Sequence, residues 1–358
     1  MKVAWVRLSD KIRFTQPLVF FSLGQRGSGK SSLLESLAEL NMQHGAMVFD
    51  MFGSRDAENL AWLRNKNVEG KNILLLRSPN VDVKCCWNTK NVETATLNDF
   101  NENDIIISSA PLYNNFDEEA YYIGKLTDLL FHRVHWNRLI FAICREASNL
   151  YYSRLKLVGN QLEAKAQLIY MLRESRHSGI SLGLDSLRFT SIDVDVRSVV
   201  DYLILKSLGV MGLPKDLEWL YYFFNPAVVR SMAQKNFIIV SRTGALGLGE
   251  FDFPKWHKLP GEDLLNLLDI KVEYGEPIQR GTDKGTYKTV SDKEHNDIIS
   301  FYIQQNLGMD KISNRLSRST KTISDHIHAH NDSISRVGFC PSCRRVKSPL
   351  EAQIAKRG

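Results

Sequence analysis

The sequence predicts an α/β protein in which a mostly parallel sheet lies between two layers of helices, with a small helical domain after it. Short apolar runs alternate with helical stretches from Pro17 to about Lys206, and a polar, glycine-containing segment at 273–289 precedes a basic end. Continuous apolar runs between helices are typical of parallel strands that are covered on both faces. The 358 residues are enough for one large domain and one or two small ones.

The individual elements follow from these patterns. The predicted strands are 18–23, 46–49, 73–76, 104–108, 139–144 and 180–184. The predicted helices between them include 31–44, 116–135 and 160–175. Farther on, 217–222 and 228–234 have helical patterns and 237–240 has a strand pattern, whereas Gly244, Gly247 and Gly249 are typical of loops. We therefore predict a core over 1–272, a linker over 273–289, a helical domain over 290–332 and a basic tail over 333–358.

A glycine-rich loop follows the first predicted strand of the core and opens its first helix. Its residues, with the serine after it, are Gly24, Gln25, Arg26, Gly27, Ser28, Gly29, Lys30, Ser31 and Ser32. Glycines allow the backbone to turn tightly and to direct N–H groups at phosphates, and the start of the helix adds its positive dipole end. Lys30 is expected to reach the β- and γ-phosphates, and the Ser31 hydroxyl to bind Mg²⁺. The loop has the strand and helix that the motif requires, so it predicts a site for ATP and Mg²⁺.

A second part of such a site is an apolar strand that ends in acids. The run 139–144 ends in Arg145 and Glu146, where an Asp would normally precede the Glu and hold the Mg²⁺ shell. Glu146 is therefore the candidate general base. The alternative is that Glu146 is an acid at a helix N-terminus, where the helix dipole favours negative charge. Asp50 or Asp185 could supply the missing carboxylate, and the sequence leaves that choice open.

With these motifs placed, residues 17–206 resemble the FtsK/HerA superfamily of hexameric DNA-pumping ATPases. The stretches that carry the resemblance are the phosphate loop, Val48-Phe49-Asp50 at the end of a strand, Arg145 to Leu150, the arginine-rich stretch from Arg173 to Leu182, Arg188, and Leu203 to Lys206. The sequence departs from the family pattern at three positions. Arg145 stands for an Asp, Leu187 for a Gln that senses the γ-phosphate, and Phe189 for a Pro.

The resemblance implies a RecA-like P-loop core that hydrolyses ATP between subunits of a hexameric ring, with duplex DNA in its pore. It also implies an arginine that reaches a neighbouring subunit and stabilises charge on the transferring phosphoryl group. Arg173 and Arg176 are the candidates by position, and Arg154 is a weaker one.

The C-terminal part has the layout of a helix-turn-helix. Helices are predicted over 294–306, 310–316 and 320–330, with the turn at 317–319. From Thr286 onward there are 12 basic and 7 acidic residues, which accounts for +5 of the net charge of +6. This predicts duplex DNA as a partner, contacted by residues at the start of the candidate recognition helix, namely Arg318, Thr320, Lys321 and Thr322.

A zinc site is a further expectation in this part of the chain. Cys340 and Cys343 form a CxxC pair, and His326 and His330 lie one helical turn apart upstream of it. Two thiolates and two imidazoles would make a tetrahedral zinc site. Half of a shared zinc ribbon, or simply a reduced surface pair, remains an alternative.

Composition sets the remaining expectations. No apolar run is long enough to span a bilayer, the first residues lack the apolar stretch of a secretory signal, and the five cysteines do not suggest a disulfide framework. We therefore expect a cytoplasmic protein with no membrane partner. The predicted function is an ATPase that moves or packages duplex DNA. The alternatives are a nucleotide-gated DNA-binding regulator, a ring that pumps protein, and a P-loop kinase.

Overall fold

The structure is a computed structural model of the chain, and it describes residues 4–7, 16–52, 56–131, 138–149, 151, 165–170, 173, 177–276, 292–316, 318–337 and 340. The chain divides into two compact units, Met1–Gln279 and Arg280–Gly358. The predicted site residues Arg154, Arg176 and Cys343 lie outside the described residues, as do most of the predicted linker and tail.

The first unit is built around one large sheet. Its strands, in chain order, are β1 Ala4–Arg7, β2 Val19–Leu23, β3 Met47–Phe52, β4 Ile73–Arg77, β5 Val81–Lys84, β6 Asn88–Asn91, β7 Ile105–Ser108, β8 Ile140–Cys144, β9 Ile180–Ser186, β10 Tyr202–Leu205, β11 Asn236–Ser241, β12 Leu246–Glu250 and β13 Lys271–Tyr274. The α-helices described in this unit are α1 Lys30–Gln43, α2 Leu97–Glu102, α3 Phe116–Phe131, α4 Val194–Ser198, α5 Pro226–Ser231 and α6 Leu264–Leu267.

The large sheet has eleven of these strands, in the order β1-β12-β11-β10-β2-β9-β8-β3-β7-β4-β6, and β5 and β13 form a separate two-stranded sheet. All pairings from β10 to β6 are parallel, and only β11 pairs antiparallel with both of its neighbours. The central strands β2, β8 and β9 are buried along their whole length. The predicted α/β class with a mostly parallel sheet is therefore confirmed. The carboxyl ends of β2, β9 and β8 lie side by side, which places their following loops at one edge.

Several local predictions differ from the structure. The segment around 217–222 is a 3₁₀ helix, Lys215–Tyr222, and the helix predicted over 228–234 begins earlier, at Pro226, and ends at Ser231. Gly247 and Gly249 do not mark a loop, because both lie in β12 and pair with β11. Glycine weakens a strand without preventing it, and here the neighbouring strands on both sides supply the pairing.

The second unit contains three described helices, α7 Asp292–Ile303, α8 Met309–Leu316 and α9 Thr320–Val337. They enclose a small core of five isoleucines: Ile298, Ile299, Ile312, Ile323 and Ile327. The predicted end of the third helix at His330 is wrong, because α9 continues to Val337. Buried His330 and Ile334 extend the stripe of Ile323 and Ile327 at helical spacing, which keeps one face of the longer helix covered.

Among the described residues, no helix combines the length and the apolar character that a bilayer crossing requires.

Candidate nucleotide site

The phosphate-binding loop lies at the carboxyl end of β2, where the buried strand stops at Leu23 and α1 begins at Lys30. Gly27 and Gly29 have φ angles of 73° and 86°, a region that favours glycine. At Gly24 the constraint is space, since an added Cβ would come within 2.5 Å of Ser28 Oγ and 2.7 Å of Lys206 Cβ. The glycines thus permit the compact turn that brings the start of α1 to the edge of the sheet.

Lys30 and Ser31 open α1 beside the loop. Lys30 is 8% exposed and its Nζ donates a hydrogen bond to the Gln25 carbonyl at 3.1 Å. The Ser31 hydroxyl donates to Asp185 Oδ2 at 3.3 Å. Asp185 lies on β9, which pairs in parallel with β2 and has β8 on its other side. The strand order therefore brings a carboxylate next to the hydroxyl that the sequence predicts as a Mg²⁺ ligand.

The Asp185 carboxylate is buried beneath the loop at 2% exposure. Burial raises its pKa to about 6, partly opposed by the positive charge of Lys30. Its Oδ1 accepts a hydrogen bond from the backbone N–H of Glu146, the residue that follows the Arg145 position after β8. A hydroxyl and a carboxylate are the oxygen donors that Mg²⁺ prefers, so Ser31 and Asp185 together fit that ion.

Glu146 turns sharply out of β8. It has a φ of 50°, which is uncommon for a residue with a side chain, and it is half-buried. Strained backbone of this kind often occurs at functional sites. The turn presents the Glu146 side chain at the same edge as Asp185, where the sequence predicts a general base.

Arg145 does not face the phosphate loop and is instead completely buried in a cluster of acids. Its Nη2 lies 2.8 Å from Asp50 Oδ2, its Nη1 lies 2.8 Å from Glu35 Oε1, and Glu58 Oε1 is 3.7 Å from the same Nη1. The other oxygen of Glu35 contacts His257 Nδ1 at 2.7 Å. Arg145 therefore joins the end of β8, the end of β3 and helix α1 through ion pairs.

This arrangement decides between Asp50 and Asp185, which the sequence left open. Asp50 is fully buried and accepts hydrogen bonds from Arg145 and from Trp62 Nε1, the latter at 3.0 Å. None of these hydrogen bonds involves Ser31. Burial raises the pKa of Asp50, and the neighbouring Arg145 opposes that change. Of the two carboxylates, Asp185 is the one at the loop.

Lys206 is a site residue that sequence reasoning did not single out. It follows β10, is fully buried, and packs its Cβ against Gly24. Its Nζ donates to the carbonyls of Gln234 and Asn236 and lies 4.4 Å above the Phe251 ring. Burial, with the nearby charge of Lys30, lowers the pKa of Lys206 to about 7. The one signal for it in the sequence is that it ends the stretch Leu203 to Lys206, which resembles a strand of the FtsK/HerA pattern.

A cavity of about 590 Å³ opens on one side of the loop. Its lining includes Gln25, Arg26, Leu187, Phe189 and Met211. Leu187, which the sequence resemblance places where a Gln would sense the γ-phosphate, lies on the wall of this cavity and is 43% exposed. The apolar walls next to the phosphate loop suit a nucleotide base.

The other residues predicted from the sequence lie partly in the loop and α1 and partly in other segments of the chain. Ser28 and Ser32 are buried within the loop and the first turn of α1. Arg173 is half exposed and its Nη2 lies 3.1 Å from Asp195 Oδ1. In the second unit, both Arg318 nitrogens Nε and Nη2 bind the Glu294 carboxylate, at 2.6 and 2.7 Å.

The residues expected to bind zinc are arranged differently from the sequence prediction. His330 and Cys340 form a buried group with His295 of α7, whereas His326 contacts His295, with 3.2 Å between their Nδ1 atoms. The described part of the second unit thus adds a histidine that the prediction had not included.

No protein-family model and no curated protein sequence matches the chain. Among solved structures, it is similar to the genome-packaging NTPase B204 of Sulfolobus turreted icosahedral virus 2 bound to ATP-gammaS, at 16% identity and a TM-score of 0.41, over 69% of this chain and 98% of that one. It is also similar to the pCW3 conjugation coupling protein TcpA, at 13% identity and a TM-score of 0.39, over 72% of this chain and 66% of that one. A third similar structure is EccC of Thermomonospora curvata, at 11% identity and a TM-score of 0.37, over 67% of this chain and 37% of that one. At such identities the similarity concerns the fold alone.

Proposed function

We propose that the chain is an ATP-driven motor that moves or packages duplex DNA. The observation that carries the proposal is the placement of Lys30 and Ser31 at the start of α1, beside the buried carboxylate of Asp185. A phosphate loop with a lysine, a hydroxyl and a carboxylate at one sheet edge has the groups that phosphoryl transfer to water requires.

Each residue has a distinct task in this proposal. Backbone N–H groups of the loop hold the phosphates, and Lys30 exchanges its bond to the Gln25 carbonyl for the β- and γ-phosphate oxygens. Ser31 and Asp185 would hold Mg²⁺, which when bound neutralises charge on the phosphates. Asp185 thus supplies the carboxylate that an acid at position 145 would otherwise supply.

Glu146 is the proposed general base. Its carboxylate accepts a proton from the attacking water, and its backbone N–H holds the Asp185 carboxylate in position. The turn at φ 50° therefore couples the proposed base to the proposed Mg²⁺ ligand. Arg173 is the proposed arginine that reaches a neighbouring subunit in a ring, because its guanidinium is exposed and forms a surface ion pair with Asp195, which is weak enough to exchange.

The second unit is the proposed DNA-binding part. Helices α8 and α9 have the helix-turn-helix order, and exposed Lys321 and Thr320 lie in the first turn of α9. The hydroxyl of Ser319 caps this turn by accepting from the Thr322 N–H at 3.1 Å. Of the two basic residues predicted to contact DNA, Arg318 is bound by Glu294 and Lys321 is exposed. Lys321 is therefore the basic side chain that is positioned to contact phosphate.

The test is steady-state ATP hydrolysis with and without long duplex DNA. We expect turnover that DNA stimulates, that Lys30→Ala abolishes, and that Glu146→Gln reduces roughly 10²- to 10⁴-fold. The surface variant Lys235→Ala is the matched control for Lys30 and should keep wild-type turnover. Hydrolysis without any response to DNA would contradict the DNA-motor proposal but leave the ATPase.

A nucleotide-gated DNA-binding regulator is the second candidate, favoured by the complete withdrawal of Arg145 into the acid cluster. With no acid at that position, the site would bind ATP and turn it over poorly. ATP binding that alters DNA affinity, with no turnover in any condition, would establish this candidate over the motor.

A further inference from the structure

A second group of metal-ligating side chains lies in the helical unit, and none of its members is a residue assigned to ATP. It consists of His295 on α7, His330 on α9 and Cys340, which follows the end of α9. Their exposures are 4%, 1% and 3%, so the group lies inside the unit rather than on its surface. One ligand atom from each side chain lies within 4.8 Å of the others.

We infer that these three residues bind a zinc ion and leave one position of its tetrahedron to a fourth ligand. The distance between Cys340 Sγ and His295 Nε2 is 3.5 Å. In a tetrahedral site with Zn–S near 2.3 Å and Zn–N near 2.0 Å, a sulfur and a nitrogen ligand are about 3.5 Å apart. A thiolate with two imidazoles is a donor set that selects zinc over magnesium or calcium.

The ring contacts assign the roles of the histidines. Zinc bound at Nε2 of His295 would leave the proton on its Nδ1, which lies 3.2 Å from His326 Nδ1 and would donate to it. His326 therefore orients a zinc ligand instead of binding zinc itself. A histidine ligand held through its second nitrogen is the usual arrangement around protein-bound zinc.

The helical unit has a physical need for such an ion. Its buried core consists of five isoleucines, and a unit of this size rarely obtains enough stability from a single small core alone. The three ligands connect α7, the last turns of α9 and the segment after it. Zinc bound there would hold α9 in place against α7, and folding of the unit would depend on the metal.

The test uses the full chain, purified without a polyhistidine tag, and measures zinc by elemental mass spectrometry. We expect one zinc per chain in the wild type, and a loss of at least about tenfold in Cys340→Ser and His295→Gln. His328→Gln is the matched control on the same helix, and Cys86→Ser is the control for an exposed thiol; both should retain the metal.

Replacing zinc with Co²⁺ provides a readout that does not depend on variant folding. The wild-type protein should then show the near-ultraviolet absorption of a cobalt–thiolate bond, and chelation should lower the melting temperature of the helical unit. Wild-type protein that neither retains zinc nor binds added Zn²⁺ or Co²⁺ would overturn the inference. So would equal zinc content in wild type and Cys340→Ser.

Discussion

The Ser31 hydroxyl donates a hydrogen bond to Asp185 Oδ2 at 3.3 Å, although the two residues are 154 positions apart in the chain. The contact exists because β9 lies between β2 and β8 in the sheet, so that its last residues end beside the phosphate loop. A residue at the end of β9 thereby takes a position for which the sequence pattern suggested the residue after β8.

Asp185→Asn should weaken Mg²⁺-dependent ATP binding by roughly 10- to 100-fold, because it removes the carboxylate beside Ser31 without changing its shape. Binding measured by calorimetry with and without Mg²⁺ checks this, and Mg²⁺-free binding should change little. Asp50→Asn is the matched control, and it should lower stability instead, because it breaks a buried pair with Arg145. Equal Mg²⁺ dependence in Asp185→Asn and the wild type would refute the assignment.

Mg²⁺-dependent ATP binding should weaken as the pH falls below about 6. Burial raises the pKa of Asp185 to about 6, so the side chain is a carboxylate above that pH and is progressively protonated below it. Because protons then compete with Mg²⁺, affinity should fall by up to about tenfold per pH unit on the acid side. Asp185→Asn should lose this part of the pH profile, and a wild-type profile that is flat down to pH 5 would contradict the prediction.

Arg145→Leu should destabilise the first unit by about 3–5 kcal/mol, because it leaves Asp50 and Glu35 buried without their cation. Urea unfolding measures the effect, with the exposed Arg242→Leu as control. Arg145→Asp restores the acid of the family pattern but adds a carboxylate to the same cluster, so we expect it to fold worse still. Wild-type stability in Arg145→Asp, with faster ATP turnover, would argue against the structural role of Arg145.

Gly24→Ala should impair ATP binding, because its new methyl group would lie 2.5 Å from Ser28 Oγ and 2.7 Å from Lys206 Cβ. Overpacking of this kind costs about 1–3 kcal/mol, and the strain falls on the loop that holds the phosphates. Gly308→Ala is the control, since its φ, like that of Gly24, is not in the left-handed region and nothing lies within 4 Å of the added group. Should the two variants bind ATP equally well, the loop would be more adaptable than its packing indicates.

Lys321→Ala should weaken duplex binding uniformly across sequences and reduce the salt slope by about 1, the effect of losing one phosphate contact. The proposal assigns different roles to Lys321, which contacts DNA phosphate, and to Arg318, which stabilises the helical unit. Arg318→Ala should mainly lower the thermal stability of the helical unit, because Arg318 binds Glu294 through two nitrogens. Binding titrations at several salt concentrations, beside melting curves of both variants, distinguish the two roles.

Local patterns in the sequence determined the α/β class, the phosphate loop and the three C-terminal helices. The loop needs a strand, closely spaced glycines, a lysine and a serine in one short stretch, and all of them are contiguous between Val19 and Ser31. The helical patterns over 294–306, 310–316 and 320–330 likewise indicated the three helices of the second unit. Such features depend on neighbouring residues, which is why the sequence alone predicts them.

Only the tertiary structure decided which distant side chains meet. It placed Asp185 and not Asp50 beside Ser31, turned Arg145 into a buried ion-pair cluster, and added His295 to His330 and Cys340. These contacts depend on strand order, on the direction of each side chain and on how helices pack. None of them leaves a periodic or local trace in the sequence, because Asp185 beside Ser31 and Asp50 beside Arg145 both lie near the ends of equally apolar strands.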